Sequence, residues 1–130
     1  MPEIFIEASL FPTEVEDRVR QAILNIFPDA EIEAVESSDK KLLRGRASDI
    51  TTLAKRLAEQ LIRDAARKVL RRSIKGQELV FHLNKQAALV GKVNFTEGKS
   101  VLGDIDVRIS GEPQSIIDRL TFKILPGGKK

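Results

Sequence analysis

Apolar and polar positions alternate over residues 3–10, with Ile4, Ile6 and Ala8 on one side and Glu3, Phe5 and Glu7 on the other. This period of two predicts a strand with one buried face. Pro12 ends the pattern and the spacing changes. Val15, Val19, Ala22, Ile23 and Ile26 recur at helical intervals, Thr13 and Glu16 have the spacing of a capping box, and Pro28-Asp29 supplies the stop. Alternation returns over residues 30–36 and again over 41–47, on either side of Ser37-Ser38-Asp39, which predicts a hairpin. With Leu43, Gly45 and Ala47 turned inward, Leu42, Arg44 and Arg46 turn outward.

No Gly or Pro interrupts residues 48–73, so one long helix is expected from Ser48 or Asp49 to about Ser73. Its apolar stripe would be Ala54, Leu57, Leu61, Ala65 and Val69. Further strands are predicted over residues 78–84, with Leu79, Phe81 and Leu83 inward, and over 101–110, where Ile105, Val107 and Ile109 alternate with Asp104, Asp106 and Arg108. A short helix is expected over 85–90 and a short strand over 92–95. Pro113 opens a last helix carrying Ile116, Ile117 and Leu120.

The order strand, helix, strand, strand, helix, strand over residues 1–84 is that of a split βαβ unit, to which the remainder should add a strand or an edge cover. The expected fold is a single α+β domain over residues 1–125. It has a mixed, largely antiparallel sheet packed against two main helices, and residues 126–130 form a disordered basic tail. A chain of 130 residues fits one domain with a core of its own. It has no Cys, which removes disulfides, thiol catalysis and Cys-based zinc sites together. With neither a signal-like start nor a long uncharged apolar run, the reading is cytoplasmic, with no membrane partner.

Charge adds more than composition does. Residues 1–39 carry ten acids and two bases, whereas residues 55–75 carry two acids and eight bases. Such asymmetry suits either a basic surface for a polyanion or complementarity between copies of the chain, as in a homodimer. Taking ~100° per residue along the expected long helix, Arg56, Arg63, Arg67 and Arg71 form a ridge opposite the apolar stripe. Arginine forks suit phosphate, and Arg44, Arg46, Lys85 and Lys92 are candidates to widen the patch. Base stacking on surface aromatics is disfavoured, because there is no Trp or Tyr and residues 42–46 lack an aromatic. The six Phe residues mostly fall among apolar neighbours and are assigned to the core.

A catalytic set is not found. His82 is the sole histidine, so no triad or multi-histidine metal site stands out, and the glycines lack the spacing of a phosphate-cradling loop. Asp104 and Asp106 as cation ligands are outweighed by a solvated strand face. No catalytic residue, metal ligand or cofactor is assigned.

The segment Phe81-His82-Leu83-Asn84-Lys85-Gln86-Ala87-Ala88-Leu89-Val90-Gly91-Lys92-Val93-Asn94-Phe95 resembles the signature of an uncharacterised archaeal family with a provisional RNA-binding label. The likeness extends to Ile6-Glu7-Ala8, Phe11-Pro12-Thr13-Glu14, Asp64-Ala65-Ala66-Arg67 and Leu102-Gly103-Asp104-Ile105, and is loosest at Arg119-Leu120-Thr121-Phe122. It implies a fold similar to that of the 5S-rRNA-binding protein of the large ribosomal subunit, with no catalytic residues to carry over. It singles out Asn84, Gln86 and Asn94, with Lys85, as the polar positions of the motif. The alternative is that Asn84 caps a short helix whose first turn Lys85 and Gln86 fill. The leading expectation is therefore a non-enzymatic RNA- or nucleic-acid-binding protein. The alternatives are a structural protein that self-associates or binds an acidic partner, and an enzyme on a phosphorylated substrate using Lys85, Gln86 and Lys92.

Overall fold

The alternating segments become strands β1 (Glu3–Ser9), β2 (Glu31–Ser37), β3 (Lys40–Ala47), β5 (Glu78–Leu83) and β7 (Ile105–Ser110). Two short strands, β4 (Ile74–Lys75) and β6 (Phe95–Thr96), complete the sheet of the computed structural model, which describes residues 2–101 and 103–121. The helices are α1 (Glu16–Ile26), α2 (Thr51–Glu59), α3 (Arg63–Arg72), α4 (Lys85–Leu89) and α5 (Pro113–Thr121). Leu102, Phe122 and the tail assigned to residues 126–130 lie outside the described residues.

The sheet runs β2-β3-β1-β7-β5-β4, with β6 on β5. Every described strand pair is antiparallel, so the expected mixed sheet is corrected to an antiparallel one. The first half keeps the split βαβ arrangement, β3 lying between β1 and β2. The C-terminal part joins the sheet at its centre, where β7 separates β1 from β5.

The inward positions are as the alternation requires. Ile4, Ile6, Ala8, Leu43, Leu79, Phe81, Leu83, Ile105, Val107 and Ile109 are buried against Ile23, Phe27, Leu53, Leu57, Leu70 and Ile117 from the helices. Each of the Val, Leu, Ile and Phe side chains among them contributes about 1.5–3 kcal/mol of burial, and together they seat all the main helices on one face. The other face is left open. Across it, Phe5 stands between Arg46 and Arg108, and Glu7 between Arg44 and Asp106.

Two helix boundaries depart from expectation. Thr13 does not cap α1, which starts at Glu16 behind Val15 without a side-chain cap. Glu16 instead bonds Arg20 at 2.9 Å and Lys41 at 3.1 Å, and these cations hold its carboxyl below the usual range. Glu14 turns back to accept the Phe11 N–H at 3.0 Å.

The second departure matters for function, because the long helix is two helices. Leu61 has φ +59° and is 87% exposed. Its N–H donates to Ala58 O while that of Ile62 donates to Leu57 O, the paired closure of a Schellman motif with leucine in the left-handed position where glycine is usual. The restart rotates α3 so that Ala66 and Leu70 are buried and Ile62 packs against the core, in place of the expected Ala65 and Val69. With α1 and the two shorter helices expected over 85–90 and from Pro113, this split makes five helices in place of four among the described residues.

Leu61→Gly tests the break through the sign of its effect. Relief of a left-handed L-residue amounts to ~1–2 kcal/mol, offset by up to about 1 kcal/mol of glycine flexibility. Thermal denaturation followed by circular dichroism should show the midpoint unchanged or raised by a few degrees. In an unbroken helix the same change would cost about 1 kcal/mol, so a clear fall in midpoint would refute the break.

Candidate nucleic-acid interface

The signature segment runs from the end of β5 through α4 to the start of β6, and Asn84, Lys85 and the backbone around the end of α4 are spent on local and tertiary structure. Asn84 ends β5 in an extended conformation, and its side chain accepts the Ala87 N–H at 2.8 Å as the cap of α4, in line with the capping alternative. Its own N–H donates to Asn94 O. Lys85 is only 8% exposed. Its ammonium donates to Ser9 O at 2.6 Å and to the Glu14 carboxylate at 3.0 and 3.2 Å, above the Phe11 ring.

Asn25 of α1 donates to the carbonyls of Ala88 and Leu89, both at 2.9 Å, which fixes the end of α4. Gln60 bonds both backbone groups of Val93. Gly91, at φ +78°, has the Arg56 guanidinium 3.1 Å from where a Cβ would sit. Arg56 in turn donates to Asn25 O at 3.2 and 3.1 Å. The segment thus bolts α4 and its following loop onto α1 and α2. Gln86, Lys92 and Asn94 are its exposed polar members.

The predicted basic residues fall on different parts of the molecule. Arg44 and Arg46 lie on the open sheet face, pairing with Glu7 at 3.4 Å and Glu3 at 3.5 Å. Arg56 is tied to α1, Lys85 is enclosed, and Lys92 follows α4. Arg63 and Arg67 flank the buried side of α3, with Arg67 paired to Asp118 of α5 at 3.2 Å, while Arg71 is exposed. The rotation at Leu61 dissolves the ridge drawn for one continuous helix.

It brings forward another group. Lys68, Arg71 and Arg72 on the outer side of α3 and Lys75 on β4 are all exposed, and among the described residues none has an ion-pair partner. Of these the helical count picked out Arg71. Lys68, Arg72 and Lys75 were carried by the excess of bases over residues 55–75, but without the break their direction was not readable. This cluster lies at the β4 edge of the sheet, whereas Glu31, Glu33 and Glu36 lie on β2 at the opposite edge.

The assigned Phe cores need correction as well. Phe27 and Phe81 are buried, but Phe5 and Phe11 are 37% and 38% exposed. Asp104 is buried and accepts the Ser100 hydroxyl at 2.7 Å, while Asp106 bonds His82 Nδ1 at 2.7 Å on the open face.

A family model described as RNA binding matches residues 3–110. A UPF0201 protein of Sulfurisphaera tokodaii is 41% identical over 133 residues, covering 98% of this chain and 92% of that protein. The crystal structure of a UPF0201 protein from Methanococcus jannaschii superposes with a TM-score of 0.87 at 34% identity, covering 98% of each chain. A second UPF0201 crystal structure gives 0.84 at 37% identity, covering 93% of this chain and 94% of that one.

Proposed function

The chain belongs to the family that the RNA-binding model describes, alongside the archaeal UPF0201 proteins, and from that premise we propose a non-enzymatic, cytoplasmic protein that binds RNA. The observation that carries this reading is the group Lys68, Arg71, Arg72 and Lys75, four exposed cations on consecutive elements at one edge of the sheet. Lysine and arginine side chains without ion-pair partners are available to neutralise phosphates, which releases the counterions condensed on the nucleic acid, and this release is the main source of sequence-independent affinity. The acidic β2 edge opposite orients an approaching strand toward the basic end. The reading also takes in the likeness to the 5S-rRNA-binding ribosomal fold that the signature implies.

Filter binding of the full chain to a structured RNA, across a salt series, tests the proposal. Log affinity should fall linearly with log salt. A failure to retain RNA near about 100 mM salt would end it.

The same separation of charge favours one alternative, in which the acidic edge of one copy meets the basic edge of another. Light scattering at low and high salt distinguishes the two. A salt-labile oligomer without RNA retention supports self-association.

A further inference from the structure

The open face of the sheet carries a feature that the basic edge does not use. Phe5 sits on β1, a central strand, and is 37% exposed, its neighbours on the same strand face being Glu3 and Glu7. Its register partners on both sides are arginines, Arg46 on β3 and Arg108 on β7. The Arg46 guanidinium lies 5.3 Å from the ring centroid. Beside it is a depression of about 280 Å³, lined by Phe5, Glu7, Arg44, Val80, Asp106 and Arg108 among others.

This face is no track for a phosphate backbone. Glu3, Glu7, Glu31, Glu33, Glu78 and Asp106 offset Arg44, Arg46 and Arg108 across it. A planar, uncharged group with polar edges fits it better. The ring and the guanidinium offer stacking surfaces, the arginines offer donors, and the carboxylates offer acceptors. The arginine–glutamate contacts here are 3.4–3.5 Å long between well-exposed side chains. Such pairs are weak, so the arginines can turn to a ligand at little cost.

The site is also connected to the basic edge. Lys75 stands opposite Glu78 across β4 and β5, Glu78 contacts Arg108 at 3.5 Å, and Arg108 stands opposite Phe5. Three strand spacings of about 4.8 Å place Phe5 about 14 Å in from β4.

Resting on the RNA-binding reading above, we propose that Phe5 is a stacking site for one unpaired base of a single-stranded RNA whose phosphates lie along the Lys68–Lys75 edge. Duplex RNA keeps its bases stacked inside and has nothing to place there. Oligocytidylate is the probe of choice, because its exocyclic amino group is a donor for the carboxylates of Glu7 and Asp106.

The chain has no Trp and no Tyr, so Phe5→Trp introduces a sole indole reporter. Its fluorescence should be quenched by oligocytidylate and not by an RNA duplex, and its affinity should equal or exceed that of the wild type. Phe5→Ala should weaken oligocytidylate binding about 5- to 150-fold, equivalent to the ~1–3 kcal/mol of one stacked base. Its duplex affinity and salt slope should stay unchanged. If the wild type binds both RNAs while Phe5→Trp is not quenched and Phe5→Ala binds oligocytidylate as tightly as the wild type, the stacking site falls and the RNA-binding reading stands. If the wild type retains neither RNA, both fall. Duplex binding retained by Phe5→Ala while its oligocytidylate binding falls excludes misfolding as the cause.

Discussion

Changing Lys68, Arg71, Arg72 and Lys75 together to Gln should make the slope of log RNA affinity against log salt shallower by about three units, since each phosphate contact contributes ~0.7–0.9. Glutamine preserves helix propensity on α3, and surface changes of this kind each move stability by about 0.5 kcal/mol or less. The loss is therefore one of binding. Changing Arg63, Arg67 and Arg71 to Gln, the set that a continuous helix would favour, should lower the slope by about one unit. Arg67 is held by Asp118, and Arg63 is partly buried beside the core side of α3. Filter binding of both variants over the same salt series makes the comparison. Equal slopes in the two would remove the β4 edge as the interface.

The second large effect concerns stability. Glu14→Gln should destabilise the fold by about 3 kcal/mol, the lower end for removing one partner of a buried ion pair. It replaces the carboxylate 3.0 Å from the enclosed Lys85 ammonium with a neutral amide, the two side chains being 8% and 12% exposed. Glutamine still offers an oxygen to the Phe11 N–H, so the loss isolates the charge. Adding Lys85→Met should recover much of the stability, because an apolar side chain of similar length needs no counter-charge. Urea denaturation of the single and double variants measures this. A cost below about 1 kcal/mol for Glu14→Gln would mean that the pair does not anchor α4. A Lys85→Met protein that stays fully stable but loses RNA affinity would return Lys85 to the binding surface.

What the sequence disclosed follows the range of the interactions involved. The faces of β1, β5 and β7 were legible because an alternating strand reports its burial residue by residue, and the outward position of Phe5 was written in that same alternation. The assignment of Phe to the core, made from its chemistry, overrode it. The place of β7 was not legible, since pairing with β1 and β5 depends on strands distant in the chain. Nor was the break at Leu61, where an apolar non-glycine residue in helical phase takes a left-handed conformation that only the packing of Ile62, Ala66 and Leu70 explains. That one dihedral redirected the whole reading of the basic surface. The motif at residues 81–95 was legible as a pattern, but Asn84 and Lys85 looked like ligands until the Ala87 N–H and the Ser9 and Glu14 oxygens that hold them were in view.

The central position of β7 also sets the order in which the molecule can assemble. Until β7 has been made, β1 and β5 each lack the partner that they have at the centre of the sheet. At ~5–20 residues per second, the interval between the end of β5 and the end of β7 lasts about one to five seconds. Exposed inner edges invite pairing with other chains, and contacts this distant in sequence form slowly. The nascent protein therefore passes through a vulnerable stage that closes when β7 zips the two halves together. Truncation before Ile105 should yield aggregates rather than a smaller folded domain.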